Sequence, residues 1–145
     1  MNNKLIVKDL FILTNKLKRL LEKRYQEHGL YVGQARILIH LYKKKDEKTY
    51  QKDIENTFQI RGGTVTGMID ILEKNGYINR IESTEDRRKR KLILTKKGEE
   101  VALMGIKTHS DIENSINNIM KENERLVFYT ILEKLNQWID EEETN

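Results

Sequence analysis

The strongest chemical signal in this sequence is a run of five cationic side chains at residues 87–91. The wider window 80–97 holds eight Lys or Arg and three acidic residues, a net charge of +5. The whole chain carries only +4, so the rest of the chain is close to neutral at −1. Cations concentrated in this way bind phosphates, as on a nucleic acid. An isolated charge run is more often a solvated loop tip, so the flanking sequence must decide.

The sequence shows no Ser, His and acid cluster at a recognisable catalytic spacing, and its many carboxylates are expected on solvent faces. The chain has no Cys, which excludes disulfides, thiolate ligands and thiol redox switches. His28, His40 and His109 are too scattered for a metal site, and His40 is expected to pack or to line a pocket. The pair Gly62-Gly63 lacks the preceding strand and the following Lys of a phosphate-binding loop. We therefore expect no enzyme, no metal and no cofactor.

Apolar residues recur every three or four positions through most of the chain, which predicts amphipathic helices. The absence of Pro fits this prediction, because Pro would interrupt them. The predicted helices cover residues 5–25, 34–44, 51–58 and 64–75, followed after Thr95 by two more. Gly76 is predicted to end the fourth helix and Asn123 to cap the last. Two short segments rich in Ile, Leu, Tyr and Thr, 77–82 and 91–95, predict a β-hairpin around the basic run.

The order of these elements predicts a mainly α fold with a small β-hairpin wing. Two short helices joined by the turn 59–61 form a helix-turn-helix, whose second helix can enter a DNA major groove. A basic hairpin directly after it forms a wing that can reach an adjacent minor groove. Arg80, at the base of the wing, could contact DNA or pair with Glu82 or Asp86, and both alternatives stay open.

Five motifs in this order resemble the MarR family of bacterial winged-helix regulators. They are Tyr50-Gln51-Lys52-Asp53-Ile54, Thr64-Val65-Thr66, the segment 72–78 (LEKNGYI), Asp86-Arg87-Arg88 and the segment 94–98 (LTKKG). The resemblance implies an N-terminal dimerisation helix in 1–30, a winged helix-turn-helix in 31–98 and C-terminal dimerisation helices in 99–145.

The resemblance also implies roles for individual residues. The wing acid that orients the loop falls on Asp86, and the minor-groove arginine falls on Arg88. The candidate DNA contacts are Arg61, Gly62, Gly63, Thr64 and Thr66 in the second helix, Gln51 and Lys52 in the first, and Arg80, Asp86, Arg87, Arg88, Lys89 and Arg90 in the wing. Because Gly62, Gly63 and Gly67 offer no side chain for reading bases, shape readout by the wing is expected to matter more. Gln59 stands where the family usually has Gly in the turn.

The terminal helices carry more apolar residues than one small winged-helix core could bury. This surplus and the resemblance both predict a homodimer. The candidate interface residues are Leu5, Leu10, Leu13, Ile119, Leu126, Leu132, Leu135 and Trp138.

The function implied by the resemblance is a repressor that binds an inverted-repeat operator in double-stranded DNA. A small aromatic or amphipathic organic ligand would release it, at a site that the sequence does not assign. The alternative is a winged-helix interaction module whose basic hairpin docks an acidic protein partner. No signal-peptide core and no membrane span are apparent, so we expect a cytoplasmic protein.

Overall fold

The computed structural model describes residues 4–145, in which six helices and one two-stranded hairpin follow the apolar patterns of the sequence. The helices are α1 (Ile6–Gln26), α2 (Val32–Lys43), α3 (Gln51–Phe58), α4 (Gly62–Lys74), α5 (Lys96–Ile119) and α6 (Glu122–Thr144). The strands are β1 (Ile78–Glu82) and β2 (Arg90–Leu94). The predicted mainly α fold with a hairpin wing is confirmed. The chain divides into two compact units, Met1–Lys107 and Thr108–Asn145.

The main core of the first unit is built from apolar residues of α2, α3, α4, both strands and α5. Its buried residues are Ile37, Leu38, Leu41, Ile54, Val65, Ile69, Leu72, Ile78, Leu92 and Ala102. Burial of each large aliphatic side chain contributes about 1.5–3 kcal/mol to folding. The helix-turn-helix and the wing therefore share a single core.

The hairpin is antiparallel, with Ile78 opposite Leu94 and Glu82 opposite Arg90. Gly76 precedes it with φ +78°, a left-handed conformation that Gly adopts without steric cost. Its N–H donates to the Glu73 carbonyl and the Tyr77 N–H donates to the Leu72 carbonyl, as at many helix ends. The predicted end of the fourth helix at Gly76 is confirmed.

Three predicted helix starts were wrong. Helix α2 begins at Val32 rather than at Gln34. Helix α4 begins at Gly62 rather than Thr64, because the Arg61 carbonyl already accepts the N–H groups of Thr64 and Val65. The N-cap of α6 is Lys121 rather than Asn123, and its N–H donates to Glu124 Oε2 at 2.9 Å. A Glu three residues into a helix satisfies the cap N–H in this way.

Helix α1 exposes most of its apolar residues, Leu5, Leu10 and Leu13 near its start among them. Its anchor in the first unit is the buried Tyr25, whose hydroxyl donates to the Gly105 carbonyl at 3.1 Å. Burial raises the pKa of Tyr25 to about 12. The exposed part of α1 is an unpartnered apolar face.

The second unit also exposes large apolar residues. Helix α6 carries several of them and has no buried residue. Of the candidate interface residues in this unit, Ile119, Leu126 and Trp138 are exposed, and Leu132 and Leu135 are half-buried. None of the helices in residues 4–145 has an apolar stretch long enough to cross a bilayer.

Gly98, in the first turn of α5, has no room for a side chain. A methyl group there would collide with the backbone carbonyl of Tyr77 and lie 3.1 Å from Leu94 Cδ2. Because backbone must shift to relieve this, Gly98→Ala should lower the free energy of unfolding by about 1–3 kcal/mol in urea denaturation. Gly67→Ala is the matched control, since its methyl group would meet open space and the change should be neutral or stabilising. Equal effects of the two substitutions would contradict the predicted collision.

Candidate nucleic-acid interface

The turn between α3 and α4 takes a conformation that Gly usually provides. Gln59 has φ 53° and ψ 47°, and it is the one residue other than Gly with positive φ in the described chain, 4–145. Its side chain Nε2 donates to the Asn56 carbonyl at 2.7 Å, and the Ile60 N–H donates to the Glu55 carbonyl. These bonds offset the cost of a left-handed residue, which is roughly 1–2 kcal/mol. The turn therefore keeps a helix-turn-helix geometry without Gly.

The N-terminal half of α4 presents small, uncharged residues to solvent, directly after the cationic Arg61 at its N-cap. Arg61, Gly63 and Thr64 are exposed, whereas Val65 points into the core. Methyl groups added at Gly63 and Gly67 would meet nothing within 4 Å, so no internal packing requires Gly there. Gly62 differs, because a methyl group would lie 2.8 Å from Glu55 Oε1. The backbone of this surface is open to close approach by a ligand.

Two of the candidate contacts, Gln51 and Thr66, bind each other. Gln51 Nε2 donates to Thr66 Oγ1 at 2.8 Å, and Thr66 Oγ1 donates to the Gly62 carbonyl at 2.8 Å. The start of α3 is thereby fixed to the first turn of α4. Lys52 is different, since its exposed ammonium lies 3.8 Å from Glu55 Oε1 and remains accessible.

The wing loop, residues 83–89, is closed by its own hydrogen bonds. The Ser83 N–H donates to the Lys89 carbonyl, and the Lys89 N–H donates to the Asp86 carbonyl. The Asp86 carboxylate accepts the Arg88 N–H at 3.0 Å. A short carboxylate side chain bonding the backbone two residues later is a common way to fix a turn.

The cations of the wing are exposed. Arg87, Arg88, Lys89 and Arg90 have no ion pair within residues 4–145. Of these, Arg88, Lys89 and Arg90 line a cleft of about 460 Å³ whose other side is the start of α3, with Gln51 and Lys52. The fold therefore brings cations of the wing and polar residues of the first helix to one surface, where a phosphate can be bound between them.

Arg80 belongs to the scaffold of the wing rather than to its loop. It lies in β1, and its Nη2 donates to Asp70 Oδ1 at 2.6 Å and to Glu73 Oε1 at 3.0 Å. Its backbone N–H donates to Glu73 Oε2 at 3.1 Å. The hydrogen bond from Arg80 lowers the pKa of Glu73, and the same bond raises the pKa of Arg80.

The partners predicted for a structural Arg80, Glu82 and Asp86, were wrong. Arg80 lies on the face of β1 that packs against α4, where Asp70 and Glu73 stand about one helical turn apart. The Asp86 carboxylate is instead bonded within the loop.

His40 packs at the junction of α2 and α3. The centres of the His40 and Phe58 rings lie 5.6 Å apart in an edge-on arrangement. The Arg36 guanidinium lies 4.7 Å from the centre of the Phe58 ring. Burial lowers the pKa of His40, and the nearby Lys44 lowers it further. No group of three or more His or acidic residues in the described part of the chain could hold a metal ion.

Two residues contact the wing in ways that the sequence did not predict: Lys48, which no motif includes, and Tyr50, which was placed only in a family motif. Lys48 Nζ lies 3.0 Å from Glu85 Oε1, and Tyr50 forms an antiparallel bridge with Lys91 of β2. The Lys89 ammonium lies 5.7 Å from the centre of the Tyr50 ring. The adjacent Thr and Tyr, both favoured in strands, were the available signal.

Arg80→Met should destabilise the protein without removing a cation from the wing loop. We expect a loss of roughly 1 kcal/mol at pH 7, because the pair with Glu73 and Asp70 is partly exposed. Because the pKa of Glu73 is lowered in the folded state, the ion pair contributes fully to stability at a pH above the ordinary pKa of Glu, 4.5. This contribution is lost as the pH falls through the lowered pKa of the folded state. The difference between wild type and variant should therefore shrink in acid.

Urea denaturation across pH 3–7 measures this effect. Arg87→Met is the control, because Arg87 is exposed without an ion pair and its replacement should change stability by less than about 0.5 kcal/mol. A loss at Arg80 that does not depend on pH would count against the pair.

The sequence is similar to those of known transcriptional regulators. The family model described as MarR family matches residues 30–89. The HTH-type transcriptional repressor YetL of Bacillus subtilis is 30% identical over 89 residues, 61% of this chain and 53% of that protein. The HTH-type transcriptional regulator PrsX of Escherichia coli is 32% identical over 71 residues, 49% of this chain and 40% of that protein. The chain thus spans about half the length of the curated relatives it matches.

Solved structures share the fold. A Staphylococcus aureus MepR–DNA complex superposes with TM-score 0.90 at 19% identity, covering 94% of this chain and 99% of that one. The heme sensor protein PefR from Streptococcus agalactiae in complex with heme has TM-score 0.68 at 25% identity, covering 93% and 92%. These likenesses confirm the winged-helix architecture.

Proposed function

Because the MarR family model matches residues 30–89, we propose that the chain is a regulator of this family, which binds DNA sequence-specifically as a homodimer and controls transcription. The observation that carries this proposal is the surface that the wing shares with the start of α3, which Gln51 bonds to the first turn of α4. There, Gln51 and Lys52 face the wing cations Arg88, Lys89 and Arg90 across one cleft. The curated relatives named as a repressor and a regulator support the same function.

In the proposed complex, α4 enters the major groove and the wing lies over the adjacent minor groove. Arg61 and Thr64 are the side chains of α4 free to meet bases, since Gln51 and Thr66 bond each other. Lys52, Arg87, Lys89 and Arg90 bind phosphates, and Arg88, held by Asp86, enters the minor groove. Gly62 and Gly63 allow the backbone to approach the DNA. Arg80 supports β1 and makes no DNA contact.

Two chains would assemble through the exposed apolar faces of their terminal helices. An inverted-repeat operator then offers each α4 a half-site about one helical turn, roughly 34 Å, from the other. Exposed apolar faces of this extent on a single chain support the assembly, because water-exposed patches of this kind mark interaction sites.

Repression relieved by a small aromatic or amphipathic ligand is the remaining part of the proposal. The relative YetL is named a repressor, and PefR, with the same fold, is named a heme sensor. A ligand that favours one spacing of the two recognition helices would shift the dimer towards or away from the DNA-bound state. We propose no enzymatic activity and a cytoplasmic location, where a regulator of this family meets DNA.

The decisive experiment compares binding of the purified protein to its own upstream DNA and to random DNA of equal length, across a salt series. We expect a specific complex at least about a thousand times tighter, with a steep salt dependence. Equal and weak binding to both would reject this operator, and tight binding to an acidic protein instead would favour the interaction-module alternative.

Arg88→Ala tests the wing directly. Operator affinity should fall about 5- to 160-fold, the effect of losing one groove contact of about 1–3 kcal/mol. Lys43→Ala removes the same charge from the exposed end of α2 and should change affinity far less. Fluorescence anisotropy at one salt concentration measures both. Equal losses would mean that Arg88 acts only through net charge.

A chain ending at residue 130 tests the dimer. It retains the first unit but loses most of α6, so we expect a monomer or an insoluble protein in light scattering. Operator affinity should fall together with the loss of the dimer, because a monomer would bind only one half-site. A stable dimer of this shortened chain would assign the apolar face of α6 to another partner.

A further inference from the structure

The connector before α3, residues 48–50, runs beside the wing and pairs with β2 through one isolated bridge. The Leu92 N–H donates to the Thr49 carbonyl at 2.8 Å, and Tyr50 is bridged to Lys91. Thr49 is only 5% exposed, so this segment is packed against β2 rather than hanging free. The wing therefore has a third, backbone-bonded neighbour.

Side chains of the connector also reach the wing loop at both of its ends. The Tyr50 hydroxyl lies 3.5 Å from Ser83 Oγ, at the beginning of the loop. The Lys89 ammonium, at the end of the loop, lies over the Tyr50 ring. Lys48 binds Glu85 between them. The Lys48–Glu85 pair is exposed and worth little alone, which leaves the Tyr50 ring as the main contact.

The same tyrosine starts the first helix of the helix-turn-helix. The Tyr50 N–H donates to Asp53 Oδ2 at 2.8 Å, and its carbonyl accepts the N–H groups of Asp53 and Ile54. The next residue, Gln51, donates to Thr66 in the first turn of α4. Two adjacent residues thus connect the wing loop to the proposed recognition helix.

We propose that Tyr50 is a positioning residue that fixes the wing relative to α4, so that both meet DNA as one rigid surface. The inference rests on the proposed function. A loop that is ordered before binding loses less conformational entropy in the complex, and this raises affinity without a new DNA contact. Tyr50 would therefore act on DNA through Arg88 and its neighbours.

A double-mutant cycle on the full chain tests this role. Operator affinity is measured by anisotropy for wild type, Tyr50→Leu, Arg88→Ala and the double variant. We expect Tyr50→Leu to weaken binding about tenfold when Arg88 is present and less than about twofold when it is absent. Tyr50→Phe, which keeps the ring, should stay within about twofold of wild type. Tyr31→Leu, at a tyrosine 70% exposed and remote from the wing, is the control and should change nothing.

Amide hydrogen exchange of the free protein gives a second readout that needs no DNA. The Ser83 and Lys89 amides should exchange faster in Tyr50→Leu, while the core amide of Ile69 keeps its wild-type rate. Equal affinity losses with and without Arg88, or unchanged exchange at Ser83 and Lys89, would overturn the proposal. If wild type binds no operator, the regulator function fails, and the exchange result still decides the positioning role.

A second substitution covers the case in which Tyr50→Leu does not fold. Lys89→Met removes the ammonium that lies over the Tyr50 ring and leaves Tyr50 in place, so the Ser83 amide should exchange faster than in wild type. Arg87→Met, which removes a neighbouring charge, is the control and should leave that rate unchanged. An unchanged rate at Ser83 in Lys89→Met would overturn the role of the Tyr50 ring.

Discussion

Burial of Val65, Ile69 and Leu72 fixes which side of α4 faces solvent. These three residues share one face of the helix and pack with Ile54 and Leu92 in the core. Since side chains three and four apart lie on one face, the opposite face must carry Gly63, Thr64 and Gly67. The identity of the solvent-facing surface is therefore a consequence of core packing, and the wing is held to the same core through Ile78 and Leu92.

Electrostatics then divides the arginines of the region into two groups. Arg80 forms ion pairs with two carboxylates of α4, which offset its positive charge and weaken its attraction for an anionic ligand. The cations of the wing loop have no carboxylate partner within residues 4–145, and their mutual repulsion opposes a compact loop. Hydrogen bonds from Ser83, Arg88 and Lys89 hold the loop closed against this repulsion. A bound phosphate would relieve the repulsion, which makes polyanion binding the natural use of the loop.

Local signals predicted the local structure well. The bounds 51–58 of α3 and the Gly76 helix end are set by neighbours a few residues away, and both were predicted from the sequence. The partners of Arg80 and the contacts of Lys48 and Tyr50 were not predicted. These contacts join residues that lie 7 to 41 positions apart in the sequence. The cap of α6 was misplaced for another reason: Asn123 is a good cap type, but the backbone of Lys121 finds Glu124 at the right spacing. Residue types therefore indicate which side chains could cap a helix or form an ion pair, and the tertiary structure determines which of them do.

The apolar terminal helices and the basic wing are linked in the proposed dimer. Joining two chains removes the exposed faces of α1 and α6 from water, at about 25 cal/mol for each Å² of apolar surface buried. It also brings two wings of like charge into one particle, which opposes association at low salt. DNA binds both wings at once and neutralises this repulsion, so DNA binding and dimerisation must stabilise each other. Higher salt weakens the contact with phosphate more than the apolar association, so the dimer should persist under conditions that release the DNA.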